Sequence, residues 1–154
     1  MIVVNPEGHP LSDLKIEAVQ RLYAAYGRAD IDAVLAELDD DVDWAAEAAG
    51  RSVPWWGTFR GKTEVPRFFE AIVSNVEVTD FTPLSFASND TDVMNTVRFA
   101  YTVKATGKRA AMTMQHWWRF SDKKIAFFRG AEDTEQSAAA FSATGSRAVS
   151  AGVG

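Results

Sequence analysis

The second half of the chain consists almost entirely of long segments rich in strand-forming residues. Val, Thr, Phe, Tyr and Trp dominate these segments, and the pattern predicts strands over 76–86, 92–105, 109–121 and 124–131. The connections between them contain turn-forming residues, as in the Ser-Asn-Asp run at 88–90. Because connections this short join only antiparallel neighbours, this half of the chain is predicted to fold as an antiparallel meander.

The first half shows helical periodicity instead. Apolar residues recur at intervals of three and four over 12–26, and again over 31–38 after the capping residue Asp30, which predicts two helices. A third helix is predicted over 63–74. Between the second and third helices, the sequence indicates a solvated acidic turn at 39–41, a short strand at 42–44 and a loop over 45–60. Helices gathered on one side of a curved antiparallel sheet define the α+β class.

The chain has 154 residues, which is the length of a single domain. No internal repeat or linker divides it, and we assign residues 1–136 to one α+β domain. Residues 137–154 are rich in Ala, Ser and Gly, a composition typical of a flexible tail. A helix around Glu135–Phe141 is the alternative interpretation for the start of that segment.

Composition and charge exclude several function classes. The chain has no cysteine and only two histidines, His9 and His116, so we expect neither a disulfide framework nor a multi-histidine metal site. Acidic residues outnumber basic ones 21 to 16, which argues against a nucleic-acid partner. The N-terminal segment lacks the features of a signal peptide, and no run of apolar residues is long enough to span a membrane. We therefore expect a cytoplasmic protein with no membrane partner.

Common catalytic and nucleotide-binding motifs are missing. The segment 57–63 (GTFRGKT) is similar to a phosphate-binding loop, but it has three residues between its glycines where the motif needs four. We interpret it as a turn that leads into the third helix. Neither a nucleophile elbow nor an H-E-x-x-H zinc motif occurs. No cofactor is implied.

Several short motifs follow one another in a characteristic order. They are YAAYGRADIDAVLAEL over 23–38, DVDW over 41–44, GTFRGK over 57–62 before Phe68-Phe69, and HWWRF over 116–120. Together they resemble the nuclear-transport-factor-2-like superfamily, and in particular its SnoaL-like, ketosteroid-isomerase-related branch. The resemblance covers about residues 12–135.

The resemblance implies a cone-shaped, cystatin-like fold. A curved antiparallel sheet carries three N-terminal helices on its concave face, and an apolar pocket lies between them. Strand alternation then sorts the side chains between the pocket and the outer face. The residues expected to line a ligand site are Trp44, Trp55, Phe68, Phe99, Met112, Met114 and Trp118.

The same resemblance implies a homodimer through the convex face of the sheet. Alternation places Trp117 on that face, opposite to Trp118. An exposed tryptophan on a sheet surface favours a partner, so we expect a second copy of the chain to cover it.

The chain departs from the true isomerases at four positions, of which Leu38 and Phe69 stand where they have supporting tyrosines. Ala46 stands where they have the aspartate that moves a proton, and Leu22 stands where they have the tyrosine of the oxyanion hole. Without that base and that phenol, the steroid isomerase mechanism is not available. We conclude that the protein is not a steroid isomerase of the known type.

Four polar residues remain as candidate catalytic groups: His116, Tyr26, Tyr101 and Glu132. His116 aligns with the acid of the isomerases' oxyanion hole, and a histidine in an apolar pocket can exchange a proton near neutral pH. The tyrosines can orient a ligand, and Glu132 can place beside His116 a carboxylate that raises its pKa. Each has a structural alternative, which is a hydrogen-bonded core histidine, core packing for the tyrosines and a solvated strand end for Glu132.

The sequence thus predicts a small-molecule pocket protein without cofactor or metal. One hypothesis is an isomerase, cyclase or hydrolase that acts by proton transfer on a small apolar carbonyl or cyclic compound. A second is a non-catalytic protein that binds hydrophobic ligands. A third is a dimerisation module whose cavity is filled by its own side chains.

Overall fold

The computed structural model describes residues 11–143, with side chains from Leu14 onward. His9 and residues 144–154 of the expected tail lie outside this range. The elements, in chain order, are α1 (Leu11–Gly27), α2 (Ile31–Ala36), β1 (Leu38–Glu47), β2 (Gly57–Arg60), α3 (Gly61–Asn75), β3 (Val76–Ser88), β4 (Asp92–Val103), β5 (Arg109–Ser121), β6 (Lys124–Ala131) and α4 (Thr134–Phe141).

The described strands form one curved, unclosed sheet. Its six strands are arranged in the order β2-β1-β6-β5-β4-β3. The predicted meander from β3 to β6 is confirmed, since each of these strands pairs antiparallel with the next. Strand β1 lies beside β6 and runs parallel to it, which departs from the expectation of a wholly antiparallel sheet. The first and last strands of the chain therefore lie side by side in the sheet.

Strand β1 is longer than predicted and includes the acidic run at 39–41. The interpretation of this run as a turn was wrong, because Leu38 is buried and already pairs with Ile125 of β6. Leu38 pairs with Ile125, and the next residue of β1 that pairs with β6 is Asp43, which lies opposite Phe127. Strand β1 thus has more residues between these two pairs than β6 has. The acidic residues occupy this irregularity, where a strand can turn polar side chains towards solvent.

The predicted loop over 45–60 contains a strand as well. Strand β2 pairs antiparallel with β1, and the register joins Ala46 to Gly57 and Asp43 to Arg60. With only four residues, β2 is too short for its alternation to be recognised in the sequence.

Helices α1 and α3 cover one face of the sheet. Helix α1 packs against β3 and β4, and α3 packs against β1 and β2. Their apolar stripes meet the inward side chains of the strands in a single core. The largest fully buried side chains of that core are Trp44, Trp118, Tyr101, Leu38 and Ile125. No helix in the described range has the length and apolar character that a membrane span requires.

The C-terminal segment forms a helix as far as Phe141. Asp133 caps helix α4 by accepting a hydrogen bond from the backbone N–H of Gln136 at 3.0 Å. Ser137 and Ala140 of this helix are buried. The first residues of the expected tail thus belong to the folded domain.

Gly61 allows the chain to turn from β2 directly into α3. Its φ angle is +70°, and a Cβ atom at this position would lie 2.9 Å from the carbonyl oxygen of Asp40. Both the backbone conformation and the close approach exclude a side chain without local rearrangement.

We predict that Gly61→Ala lowers the free energy of unfolding by about 1–3 kcal/mol, since alanine strains a left-handed backbone and meets Asp40. Urea denaturation measures the loss. Gly27→Ala is the matched control, because a Cβ at Gly27 meets nothing within 4 Å and the φ angle there is ordinary. Equal stability of the two variants would contradict the prediction.

Candidate functional site

An apolar cavity of about 60 Å³ lies between α1, α3 and the inner face of the sheet. Rings and aliphatic side chains form most of its wall, together with a few polar groups. Its lining residues are Leu22, Tyr23, Tyr26, Trp44, Ala46, Trp55, Phe68, Phe69, Ile72, Phe81, Phe99, Met114, His116, Trp118, Phe128, Gly130 and Glu132.

Two small residues open the space beside His116. The sheet register places Ala46, Gly130 and His116 in one row across β1, β6 and β5. A Cβ atom on Gly130 would lie 3.2 Å from the Phe128 ring and 3.6 Å from Cδ2 of His116. Larger residues in this row would press on the histidine and its neighbours, so the cavity depends on both.

A chain of three hydrogen bonds orients His116. Trp118 Nε1 donates to Asn95 Oδ1 at 2.9 Å, and Asn95 Nδ2 donates to the Tyr23 hydroxyl at 2.8 Å. The Tyr23 oxygen lies 2.6 Å from His116 Nδ1. Because the amide already donates to Tyr23, the phenol proton is free to point at Nδ1. A neutral ring then carries its own proton on Nε2.

His116 is neutral over the physiological pH range. Its side chain is buried against Trp118 and Phe128, and burial lowers its pKa to about 3. The hydrogen-bond partner of the ring is Tyr23, whose own pKa is raised by burial, rather than a carboxylate. The expectation that Glu132 raises the pKa of His116 is therefore corrected.

The other ring nitrogen, Nε2, has no hydrogen-bond partner among residues 14–143. The indole nitrogen of Trp44 is both fully buried and unpaired, whereas His116 Nε2 is not fully buried. Since His116 is part of the cavity wall, its Nε2–H is the candidate donor for a molecule in the cavity.

Glu132 is held at another part of the wall. Its carboxylate accepts a hydrogen bond from Trp55 Nε1 at 2.7 Å and a short one from the Ser137 hydroxyl of α4. Ser137 in turn accepts from the Tyr101 hydroxyl at 2.7 Å. Burial raises the pKa of Tyr101 to about 12, so its hydroxyl keeps its proton and remains the donor to Ser137.

The structure brings most of the predicted site residues to one cavity. Met112 and Tyr101 lie outside its wall. Met112 is partly buried against the core, and Tyr101 belongs to the Glu132 cluster. The predicted residues in the wall are Tyr26, Trp44, Trp55, Phe68, Phe99, Met114, His116, Trp118 and Glu132.

Sequence reasoning missed the two residues that orient His116. Tyr23 lies in the predicted first helix at the spacing of an apolar-face residue, which indicates packing and not a hydrogen bond. Asn95 is in phase with the buried residues Val93 and Val97 on β4, and it pairs with His116 in the sheet. A polar residue at an inward-facing position was the available signal.

Residues 14–143 contain no cluster of three or more histidine, aspartate or glutamate side chains that could hold a metal ion. In the cavity wall, His116 is hydrogen-bonded to Tyr23 and Glu132 is hydrogen-bonded to Trp55, so the two groups belong to separate sets of side chains.

A model of the SnoaL-like domain matches residues 19–128. The chain belongs to the SnoaL-like family. An NTF2-like protein of unknown function from Burkholderia pseudomallei is 24% identical to this SnoaL-like chain, with a TM-score of 0.77 over 84% of this chain and 98% of that one. Comparison with curated protein sequences gives no significant match.

Other solved structures share the SnoaL-like fold at lower identity. TerC, co-crystallised with polyporic acid, is 21% identical, with a TM-score of 0.72 over 83% of this chain and 98% of TerC. An LEH-like epoxide hydrolase from M. tuberculosis is 19% identical, with a TM-score of 0.62 over 82% of this chain and 88% of that one. At these identities the likeness concerns the fold.

We predict that the SnoaL-like domain loses stability on mild acidification because of His116. Its folded-state pKa of about 3 lies below the unfolded value of 6.5, so the unfolded chain takes up the proton first and stability falls as the pH falls. Between pH 7 and pH 5 the loss from this residue is about 2 kcal/mol.

Urea denaturation of the wild type and of His116→Phe at several pH values measures this effect. The variant keeps a ring but does not titrate, so its stability should change less over the same interval. The absolute stability of the variant is lower because the Tyr23 hydroxyl loses the acceptor of its proton. Parallel pH curves for the two proteins would contradict the assignment of a neutral His116.

Proposed function

We propose that this SnoaL-like protein binds a small apolar molecule through one hydrogen-bond acceptor, such as a carbonyl oxygen. The observation that carries the proposal is the Nε2–H of His116, a donor without a protein partner in the described range, at the wall of an apolar cavity. Such sites orient a ligand by a few polar groups within apolar surroundings.

The protonation state of His116 defines the preferred ligand. A ring with a pKa of about 3 remains a neutral donor, so it suits an uncharged acceptor and takes little part in proton exchange at neutral pH. In a cavity of low polarity, such a donor also stabilises negative charge that develops on a carbonyl oxygen. This role replaces the acid–base role expected from the sequence.

Proton transfer adds a catalytic function to binding. Glu132 is the carboxylate in the described wall. It can take a proton from the carbon next to a carbonyl while the oxygen, now part of an enolate, accepts a stronger hydrogen bond from His116. Its hydrogen bonds with Trp55 and Ser137 hold the carboxylate in place at the wall. The epoxide hydrolase among the structural neighbours shows that this fold can carry small-molecule chemistry.

A non-catalytic dimerisation module is the second candidate function. The specific observation in its favour is the cavity volume of about 60 Å³, which is small for a ligand pocket. In that case the aromatic side chains fill the core for stability alone.

We expect 2-butanone labelled with 13C at the carbonyl to bind, with the carbonyl resonance of the bound ketone further downfield in the wild type than in His116→Phe, which lacks the donor. His116→Phe should weaken binding by about three- to tenfold, the effect of one lost hydrogen bond. His116→Gln, whose amide can donate from nearly the same place, should restore part of the affinity. NMR titration measures both. Ala46→Leu fills the cavity and should abolish binding.

Met112→Leu is the matched control for the titration, since Met112 lies outside the cavity wall. It should bind like the wild type. If no variant differs from the wild type, or if the ketone does not bind at all, the dimerisation module becomes the better assignment.

Catalysis is tested separately by exchange of the α-protons of 2-butanone in D2O. The wild type should accelerate exchange and Glu132→Gln should not, while the carbonyl shift on binding persists in both. Exchange is followed by the loss of the α-proton signals. Binding without accelerated exchange in the wild type would identify a non-catalytic binding protein.

We also propose that a second copy of the chain covers the outer face of the sheet. Charges on this face are neutralised within it, because Arg119 pairs with Asp92 at 3.1 Å and Arg129 pairs with Asp43 at 3.0 Å. An identical face therefore meets no net repulsion. Met94, near the start of β4, is 50% exposed and supplies apolar surface for the contact.

Trp117 is less exposed than the sequence suggests. Its indole nitrogen donates to Asp92 at 2.6 Å, and its ring packs on Phe127 at a centroid distance of 4.8 Å. The guanidinium of Arg119 lies 5.3 Å from the same ring. Trp117 thus stiffens the proposed interface instead of projecting from it.

We expect light scattering at micromolar concentration to give the mass of two chains for the wild type. Met94→Glu should give the mass of one chain, since burying an unpaired charge in the interface is unfavourable. Val73→Glu is the matched control, because Val73 is 61% exposed on α3, away from the sheet's outer face. A monomeric wild type, or a dimeric Met94→Glu variant, would overturn this arrangement.

A further inference from the structure

The cavity beside His116 is smaller than the ligands that would use it. Its volume is about 60 Å³, whereas an apolar void of roughly 150 Å³ holds a benzene molecule. Only the carbonyl end of a ketone, with a few carbons at most, can occupy this space, and the remainder of a longer molecule does not fit. A ligand anchored at His116 must therefore extend beyond the wall.

A second space lies directly outside that wall. It is a cleft of about 880 Å³ between the end of α1, helix α3 and strand β3. Four apolar or aromatic side chains line both spaces and so form the partition between them. They are Tyr26, Phe69, Ile72 and Phe81.

Tyr26 differs from the other two tyrosines of the chain. The hydroxyls of Tyr23 and Tyr101 are hydrogen-bonded inside the fold. Tyr26 is held by ring contacts with Phe69 and Phe81, at centroid distances of 5.6 and 4.9 Å, and burial alone raises its pKa. Its side chain can therefore change rotamer without breaking a hydrogen bond to the described part of the protein.

The rim of the cleft is acidic. Glu70 and Glu77 line it and form no salt bridge within residues 14–143. Asp80 is neutralised by Arg98 at 2.6 Å. The ammonium group of Lys104 donates to the carbonyl of Val73 at 2.7 Å. Lys104 keeps its positive charge, and the two glutamates outnumber it, so the rim has a net negative charge that disfavours an anionic group and accommodates an uncharged or cationic one.

We propose that the cleft is an outer subsite for an elongated ligand and that Tyr26 is the gate between it and the cavity. The ligand class is an elongated apolar ketone whose far end is uncharged or cationic. Its carbonyl lies at His116, and its chain passes the displaced Tyr26 ring into the cleft. The proposal rests on the proposed function, because His116 is taken to hold the carbonyl.

The gate is tested with two ketones of different length, 2-butanone and 2-undecanone, by quenching of tryptophan fluorescence. Tyr26→Ala should raise the affinity for 2-undecanone by about tenfold. In the wild type this ligand must displace the Tyr26 ring from its packing, which costs free energy, and in the variant there is no ring to displace. The affinity for 2-butanone should not rise, because Tyr26 is part of the cavity wall and its removal takes contacts away from this short ligand, which gains nothing from an open gate.

Two further variants keep this test decisive. Tyr26→Phe retains the ring and should retain the discrimination between the two ketones. Tyr26→Leu replaces Tyr26→Ala if the latter does not fold, and it should shift the affinity for 2-undecanone in the same direction. A Tyr26 variant that changes both affinities equally, or neither, would overturn the gate.

The charge preference is tested with two ketones that carry opposite charges at their far ends, 10-oxoundecylamine and 10-oxoundecanoate. The amine should bind at least about tenfold more tightly than the carboxylate at low salt, and the double variant Glu70→Gln/Glu77→Gln should remove most of this difference. Equal binding of the two ketones to the wild type would overturn the assignment of ligand charge.

Failure of this proposal is distinguishable from failure of the proposed function. If 2-butanone binds in a His116-dependent manner but Tyr26→Ala does not favour 2-undecanone, the inner site stands and the outer subsite falls. If 2-butanone does not bind and 2-undecanone binding is insensitive to His116→Phe, both fall.

Discussion

The hydrogen bond between the Tyr23 hydroxyl and His116 Nδ1, 2.6 Å long, joins the first helix to the middle of the sheet, and the chemistry of the cavity depends on it. Buried polar groups need partners. Trp118 donates to Asn95, Asn95 donates to Tyr23, and Tyr23 donates to His116, so all the donors in this chain point the same way. That direction leaves the Nε2–H of His116 as the donor at the cavity wall. Together with burial, it makes the histidine a neutral, oriented donor rather than a proton carrier.

The cavity beside this donor exists because two positions in the neighbouring strands are small. Ala46 and Gly130 lie in the same row of the sheet as His116, and Gly130 has little room for even one more carbon. Aromatic rings fill most of the remaining core, which explains both the low polarity of the wall and its small volume. Glu132, the carboxylate of the wall, is bound by Trp55 and Ser137, so helix α4 takes part in shaping the site.

Local sequence patterns predicted the fold well where the elements are long. The alternation along β5 correctly separates buried Met114 and Trp118 from exposed Gln115 and Arg119, because burial on one face imposes a period of two. The pattern failed at 39–41, where an irregular strand carries acidic side chains to solvent and resembles a turn. It also missed β2, since a four-residue strand is defined by its partner and not by its own composition.

The sequence by itself determined the α+β class, the meander of the second half and the presence of one histidine within the described range. These follow from periodicity and composition, which act through neighbours close in the chain. Only the tertiary structure decided the partner and charge state of His116. Tyr23 and His116 are 93 positions apart, and no local pattern records that contact. The same holds for Tyr26, whose two ring partners come from α3 and β3 and place it between the cavity and the cleft.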